Sequence, residues 1–227
     1  MTKTQPKRAQ YFREIVYSKE HWKLLFSLRE IAKSVMKKLE NNKLRPCLIG
    51  SVARGDINEK SDIDIFVDHP VDEVLMKDIL NPIELELVQG TRLLTPRIVY
   101  HLDERTKVTV PICRFSRNEI DFLRYAGSLQ LDGLTEGKRV PGVNKSLLLI
   151  QPTSDGHTEE SIIGKENDVA KLLGINVDTI RERIAVLIQR AEKGRSGVLL
   201  RIFMPPTESA TMRYIEEIKK NPLLRTF

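Results

Sequence analysis

Two cysteines, four histidines and one tryptophan are all that a chain of 227 residues holds of these types. Cys47 and Cys113 are too few for a disulfide framework, and each sits among apolar neighbours. Reduced, buried thiols in a cytoplasmic protein are therefore expected. His21, His69, His101 and His157 show no ligand spacing, which argues against a zinc centre, and neither cysteine has a partner for nucleophilic catalysis. Long apolar runs are missing too. None approaches the ~20 residues of a membrane-spanning helix, and the opening MTKTQPKRAQ lacks the apolar core of a signal peptide. There are no repeats and no low-complexity tracts. What is present suits a globular chain of one or two domains: 41% hydrophobic and 30% charged residues. The abundance of Lys and Glu hints at a thermophile.

The net charge of +6 is unevenly spread. Residues 1–45 hold twelve Lys or Arg against four Glu, whereas residues 46–75 hold two basic against seven acidic residues. A basic arm attracts phosphates, or is simply a solvated helix face. An acidic segment repels them unless cations intervene.

Apolar residues recur at spacings of three and four from Trp22 to Leu39, which predicts a helix over 18–41 ended by Asn41-Asn42. CLIG reads as a short buried strand, ARGDINEK as a loop turning at Gly55, and SDIDIFVD as a strand. VDEVLMKDIL predicts a helix, IELELV, RIVYHL and KVTVPICRF predict strands, and NEIDFLRYAGSL predicts another helix. This mixed order makes residues 1–145 an α+β domain with a mixed sheet. LDGLTEGKRVPGVNK marks a break, KSLLLIQP a further strand and QPTSDGHTEES a loop or hinge. Residues 146–227 are expected to form a smaller, mainly helical domain.

The chemistry concentrates in residues 50–68, GSVARGDINEKSDIDIFVD. Gly50 has no Cβ and lets backbone N–H groups approach a ligand, and Ser51 adds a hydroxyl. Together they suit a phosphate. The period of a strand puts Asp62 and Asp64 on one face, about 7 Å apart along the chain. Two such carboxylates repel each other unless a cation joins them. Mg²⁺ takes oxygen ligands of this kind and completes its octahedron with phosphate oxygens. A phosphate seat followed by a metal seat describes a nucleotide site.

The segments Ile49-Gly50-Ser51 and Asp62-Ile63-Asp64-Ile65, with Arg54, Gly55 and Ser61 between them, resemble the DNA polymerase β-like nucleotidyltransferase superfamily. The form GSxARG…SDIDI looks most like the archaeal and bacterial minimal nucleotidyltransferases. The resemblance is strong over 46–68 and extends to about 115. It implies transfer of a nucleoside monophosphate from an NTP, with ATP preferred. Two Mg²⁺ ions would sit on Asp62 and Asp64, the triphosphate on Gly50 and Ser51, and Arg54 near the phosphates, unless it braces the loop instead. Family members usually add a third carboxylate on a later strand, which helps the acceptor-side metal and takes the acceptor's proton. In KVTVPICRF that place falls on Thr109, so Glu84 and Glu86 of IELELV become the candidates.

Residues 166–190 resemble a helix-turn-helix. Val169, Leu172 and Leu173 make an apolar stripe, GIN a turn, and Val177, Ile180, Ile184 and Leu187 the inner face of a second helix. Arg181, Arg183 and Arg190 are expected on its outer sides as candidate DNA or RNA contacts, with KGRSGVLLRIF as a basic wing. An ordinary helical hairpin packed on the first domain fits the same pattern. Two functions stay open: an enzyme acting on a nucleic-acid 3′ end, a protein or a small molecule, and a catalytically weak, nucleotide-sensing, DNA-binding regulator. A toxin–antitoxin partner is a third, carried by the minimal-family likeness alone.

Overall fold

A computed structural model describes residues 11–194 and 198–224. The first ten residues of the basic arm and residues 195–197 of the expected wing lie outside the described residues.

The chain opens with β1 (Phe12–Val16), then α1 (Lys19–Asn41), capped by the Ser18 side chain, which accepts from the His21 N–H. α1 buries Leu25, Leu28, Ala32, Val35, Met36 and Leu39, the stripe that the sequence spacing defines. The strand β2 (Pro46–Ile49), the single turn α2 (Ser51–Arg54), β3 (Ile63–Val67) and α3 (Glu73–Leu80) follow. Next come β4 (Glu84–Gln89), β5 (Arg97–His101), β6 (Thr106–Pro111) and α4 (Arg117–Tyr125), which starts with a capping box between Ser116 and Glu119. The rest is β7 (Ser128–Gln130), α5 (Leu131–Thr135), β8 (Gly142–Val143), β9 (Leu148–Pro152), β10 (Gly156–Ser161), α6 (Glu166–Leu173), α7 (Val177–Lys193), β11 (Leu200–Met204) and α8 (Ala210–Lys220).

Among the described residues the strands make two sheets. The larger has seven strands in the order β11-β4-β5-β6-β3-β2-β7, with β3 and β6 parallel and its other pairs antiparallel. This is the mixed α+β fold expected. Leu48, Ile63, Ile65, Leu85, Leu87, Tyr100 and Val108 point to one face and share a core with Leu28, Met36 and Leu39 of α1, Met76 of α3 and Tyr214 of α8. On the other face α4 covers Cys47, Ile49 and Phe66 with Leu123 and Ala126. The remainder of that face carries Lys107, Thr109, His101 and Glu86.

The second sheet has the order β1-β10-β9-β8 and corrects one expectation. Residues 156–161, expected as loop, form a strand, and so do residues 12–16 of the basic arm. Gly156 makes this pairing possible: a Cβ there would lie 1.8 Å from the Ile15 carbonyl oxygen. The cut expected at 145/146 falls between β8 and β9, which are hydrogen-bonded neighbours. The segment beyond 152 is also less helical than expected. β11 extends the large sheet by pairing with β4, Ile202 opposite Leu87, so Leu200–Met204 is an edge strand and not a wing.

Candidate active site

The site forms where β2 hands over to α2. Gly50 takes φ 80° and ψ −152°, a region essentially confined to glycine, and its N–H donates to the Gly127 carbonyl at 3.2 Å. A Cβ on Gly50 would meet nothing within 4 Å, so this backbone is open to an approaching ligand. Gly50 and Ser51 line a cleft of about 640 Å³. The Ser51 hydroxyl donates to Ser61 Oγ at 3.3 Å, and Ser61 Oγ accepts from the Asn58 N–H at 2.9 Å, which closes the 55–61 loop against α2.

Arg29 of α1 holds this turn from behind. Its guanidinium donates to the carbonyls of Val52 (3.1 Å), Ala53 (2.9 Å) and Lys138 (2.8 Å). Those include the orphan carbonyls of a helix only four residues long. Arg54 is engaged in the same structural way. Its Nε and Nη2 each donate to Asp56 at 2.9 Å and its Nη1 to the Ala126 carbonyl at 2.5 Å. The guanidinium borders the cleft, but these bonds make it a brace of the loop.

Asp62 and Asp64 both line the cleft, with side chains 44% and 41% exposed. The alternation of β3 buries Ile63 and Ile65 and leaves Asp64 on the opposite face. Burial raises the Asp64 carboxyl above its ordinary pKa. Lys107 opposes that shift, the Asp62 charge adds to it, and Lys145 opposes it. Lys107 is the neighbour that the sequence pattern did not single out. The parallel β3–β6 register sets it beside Asp64, with Thr109 beside Phe66. Lys107 Nζ donates to Asp62 Oδ2 at 3.0 Å and lies 3.9 Å from Asp64 Oδ1. Burial alone would lower its pKa, but Asp64 and Asp62 more than offset this, and it is raised.

Glu84 and Glu86 are not brought to this pair. β4 stands three strand spacings from β3, about 14 Å. Glu84 is exposed. Glu86 is buried and occupied: His101 Nε2 lies 3.1 Å from its Oε2, and Arg201 Nε 2.8 Å from its Oε1. Among the described residues no group of three or more His, Cys, Asp or Glu could hold a metal ion. Asp62 and Asp64 are therefore a two-carboxylate donor set with an ammonium between them. They fit a hard cation whose other oxygens come from phosphate and water.

The helix pair α6 and α7 forms around the expected turn, with Gly174 left-handed at φ 65° and Asn176 capping α7. It packs on α4. The Asn176 N–H donates to Asp121 of α4 at 3.0 Å, and Arg124 donates to the Gly174 carbonyl at 3.3 Å. The three arginines do not share an outer face. Arg181 is exposed and paired with Asp178 at 3.2 Å, and Arg190 is exposed. Arg183, expected outside, instead lines the cleft. Its guanidinium carbon lies 4.6 Å from the Phe122 ring centroid, and its Nε has no hydrogen-bond partner. The reason is its position on α7: three residues after Ile180, which is fully buried, it turns toward α4.

Sequence reasoning also missed the cleft's wall from the second sheet. Tyr17 Oη is 2.6 Å from His157 Nδ1, and the His157 ring lies close to Glu159 across a 3.5 Å contact. Burial lowers the His157 pKa. Lys145, exposed after β8, completes the basic rim. No local motif marks these residues. Only the pairing of β1 with β10 brings them to the cleft.

Residues 28–112 match the family model described as "Nucleotidyltransferase domain". The match runs from within α1 to just past β6 and includes Gly50, Ser51, Asp62, Asp64 and Lys107. The chain thus carries a nucleotidyltransferase domain, consistent with the polymerase β-like superfamily, and such a domain implies a nucleotide substrate. No curated protein and no solved structure matches the chain. Among the described residues no helix is long and apolar enough to cross a membrane.

Proposed function

We propose that this protein transfers a nucleoside monophosphate from an NTP, with ATP the favoured donor, to a hydroxyl-bearing acceptor, and that it needs Mg²⁺. The observation that carries the reading is the cleft itself, where Asp62 and Asp64 stand with the open Gly50–Ser51 backbone. Asp62 and Asp64 would hold the metal, which neutralises phosphate charge and orients the α-phosphorus for in-line attack. Gly50, Ser51 and Lys145 would seat the triphosphate. In the transfer the acceptor hydroxyl gives its proton to solvent, its oxygen bonds to the α-phosphorus, the bond from that phosphorus to the oxygen bridging it to the β-phosphorus breaks, and pyrophosphate leaves. The acceptor belongs to one of three classes: a nucleic-acid 3′ end, a protein side chain or a small molecule.

The test is incubation of the purified protein with each α-labelled NTP and Mg²⁺ in the presence of RNA, DNA, protein extract or metabolite extract. Label in a new covalent product, lost in Asp62→Asn/Asp64→Asn, supports the reading. Lys107 favours a second one, a nucleotide-sensing regulator, because an ammonium already neutralises much of the carboxylate charge. Saturable NTP binding without pyrophosphate release from any acceptor pool would establish that alternative.

A further inference from the structure

Lys107 is the second residue of β6, a strand paired on one side with β5 and on the other with β3. Its backbone is fixed by both ladders, with Lys107 opposite His101 on one side and Asp64 on the other. Its side chain is 29% exposed and reaches over the sheet face to stand between Asp62 and Asp64. Neither of the expected third carboxylates approaches: Glu84 is exposed on β4, and Glu86, two strands beyond β6, is held by His101 and Arg201.

We propose that Lys107 is a built-in cation of this site, so that the protein binds a single divalent ion with its nucleotide, Lys107 supplying the positive charge that a second ion would bring. This rests on the nucleotide-site reading above. The argument is one of donors and of space. Two Mg²⁺ ions in a transfer site sit about 3.5–4 Å apart and each demands six oxygens at about 2.0–2.1 Å. Asp62 and Asp64 supply four oxygens in all, and one of them is already engaged by Lys107. A second ion between the carboxylates would have to displace the ammonium, and it would also meet the cations of the same cleft, Lys145, whose charge acts on Asp64, and Arg183. The other carboxylates that line this cleft are already engaged, Asp56 by Arg54 and Glu159 by Tyr11 and His157, and Glu86 is held by His101 and Arg201.

An ammonium can balance charge but cannot be chelated away. The site would therefore keep part of its electropositive character without metal. Mg²⁺ or Mn²⁺ alone should bind weakly, because it must compete with Lys107 for the same oxygens. Binding should tighten when the ion arrives coordinated by a triphosphate.

The experiment counts ions directly. Mn²⁺ is titrated into the protein with saturating α,β-methylene-ATP, free Mn²⁺ is read by electron paramagnetic resonance, and nucleotide binding is followed by calorimetry. One Mn²⁺ per nucleotide is expected for the unmodified chain. Lys107→Asp supplies a third carboxylate and should bind two. Lys107→Met keeps the apolar stem, removes the ammonium and frees the carboxylates, so Mn²⁺ without nucleotide should bind roughly tenfold more tightly, about 1.4 kcal/mol. Thermal melts of both variants show whether each is folded, and the methionine variant carries the test if the aspartate variant is not. Two Mn²⁺ per nucleotide in the unmodified chain, or unchanged Mn²⁺ affinity in folded Lys107→Met, overturns the assignment of Lys107 and leaves the nucleotide site standing. Failure of the analogue to bind at any Mn²⁺ concentration overturns the nucleotide site, and the assignment with it.

Discussion

Arg54 and Asp56 meet side by side, two guanidinium nitrogens on two carboxylate oxygens, each at 2.9 Å. Both side chains are largely buried, 6% and 11% exposed. The pair pins the loop that carries the chain from α2 toward β3, and a third bond from Arg54 to the Ala126 carbonyl ties that loop to the end of α4. Removing one partner of a buried pair strands the other charge, at a cost of about 3–5 kcal/mol. Arg54→Met should therefore lower stability on that scale. Arg54→Met/Asp56→Leu should recover part of the loss. Urea denaturation of the two variants checks this. Equal midpoints for Arg54→Met and the unmodified chain would mean that Arg54 is not a brace and is free to serve phosphates.

Gly50 invites a second experiment. Space is available for a Cβ, but the backbone conformation is not one that other residues adopt readily. Gly50→Ala should cost about 1–3 kcal/mol through backbone strain alone. If the chain relaxes that strain, the Gly50 N–H bond to Gly127 is lost and the phosphate seat moves with it. Weakened NTP binding is then expected alongside the lower melting temperature. A variant that melts as the unmodified chain does would contradict the conformation.

The sequence made β2 to β6 of the large sheet legible because these strands carry strong patterns, whereas β7 and β11 were read as helix and wing. SDIDIFVD alternates, and CLIG is short and apolar enough to be a buried strand. The capped stripe of α1 is equally plain. In the second sheet β9 was legible as KSLLLIQP, but β1 and β10 were hidden for a physical reason. β1, with the sequence FREIV, has Arg13 and Glu14 at its centre, and β10, with the sequence GHTEES, is almost wholly polar. Such strands are stabilised by each other's backbone rather than by a buried apolar face, so hydropathy does not mark them. At the site, Gly50, Ser51, Asp62 and Asp64 were legible because one turn and one strand present them. Lys107 was not, although KVTV places it on the same face as Thr109. Deciding which of the two stands beside Asp64 takes the β3–β6 register, a tertiary fact. Arg183 was misplaced because helical spacing defines the buried side of α7 but not what packs on its flank.

Glu73 gives a pH-dependent prediction away from the site. It caps α8 from outside, with Oε1 accepting from the Ala210 N–H and Oε2 from the Thr211 N–H, both at 2.9 Å, and with Lys77 Nζ 2.8 Å away. Burial opposes its ionisation, but Lys77 and the amides of Thr211 and Ala210 outweigh that and hold the carboxyl at about 2. The unfolded chain takes up this proton first as pH falls. The stabilisation is therefore complete above the unfolded carboxyl pKa of about 4.3 and disappears as pH falls toward 2. Glu73→Gln should cost about 2 kcal/mol at neutral pH. The gap between variant and unmodified chain should narrow steadily in denaturation series run below about pH 4. A gap constant with pH would show that the charge of Glu73 is not what caps α8.

Arg183 separates the two uses to which a basic residue on α7 can be put. Its guanidinium faces Phe122 and the cleft that holds Asp62 and Asp64, whereas Arg181 stands in solvent beside Asp178 and Arg190 is exposed one face-repeat further on. Burial lowers the Arg183 pKa, but a guanidinium remains charged through the neutral range. A cation held at the edge of a triphosphate site should act on nucleotide affinity. Arg183→Met is expected to weaken NTP binding about tenfold, roughly 1.4 kcal/mol. Arg181→Ala should change neither NTP affinity nor stability by more than about 0.5 kcal/mol. Titration of duplex DNA, single strands and RNA from about 50 mM salt upward completes the comparison. Arg183→Met should leave the slope of log affinity against log salt unchanged, because a side chain inside the cleft meets no backbone phosphate of a long duplex. A slope that falls by about 1 in Arg183→Met, with NTP binding intact, would move Arg183 from the nucleotide to the nucleic acid.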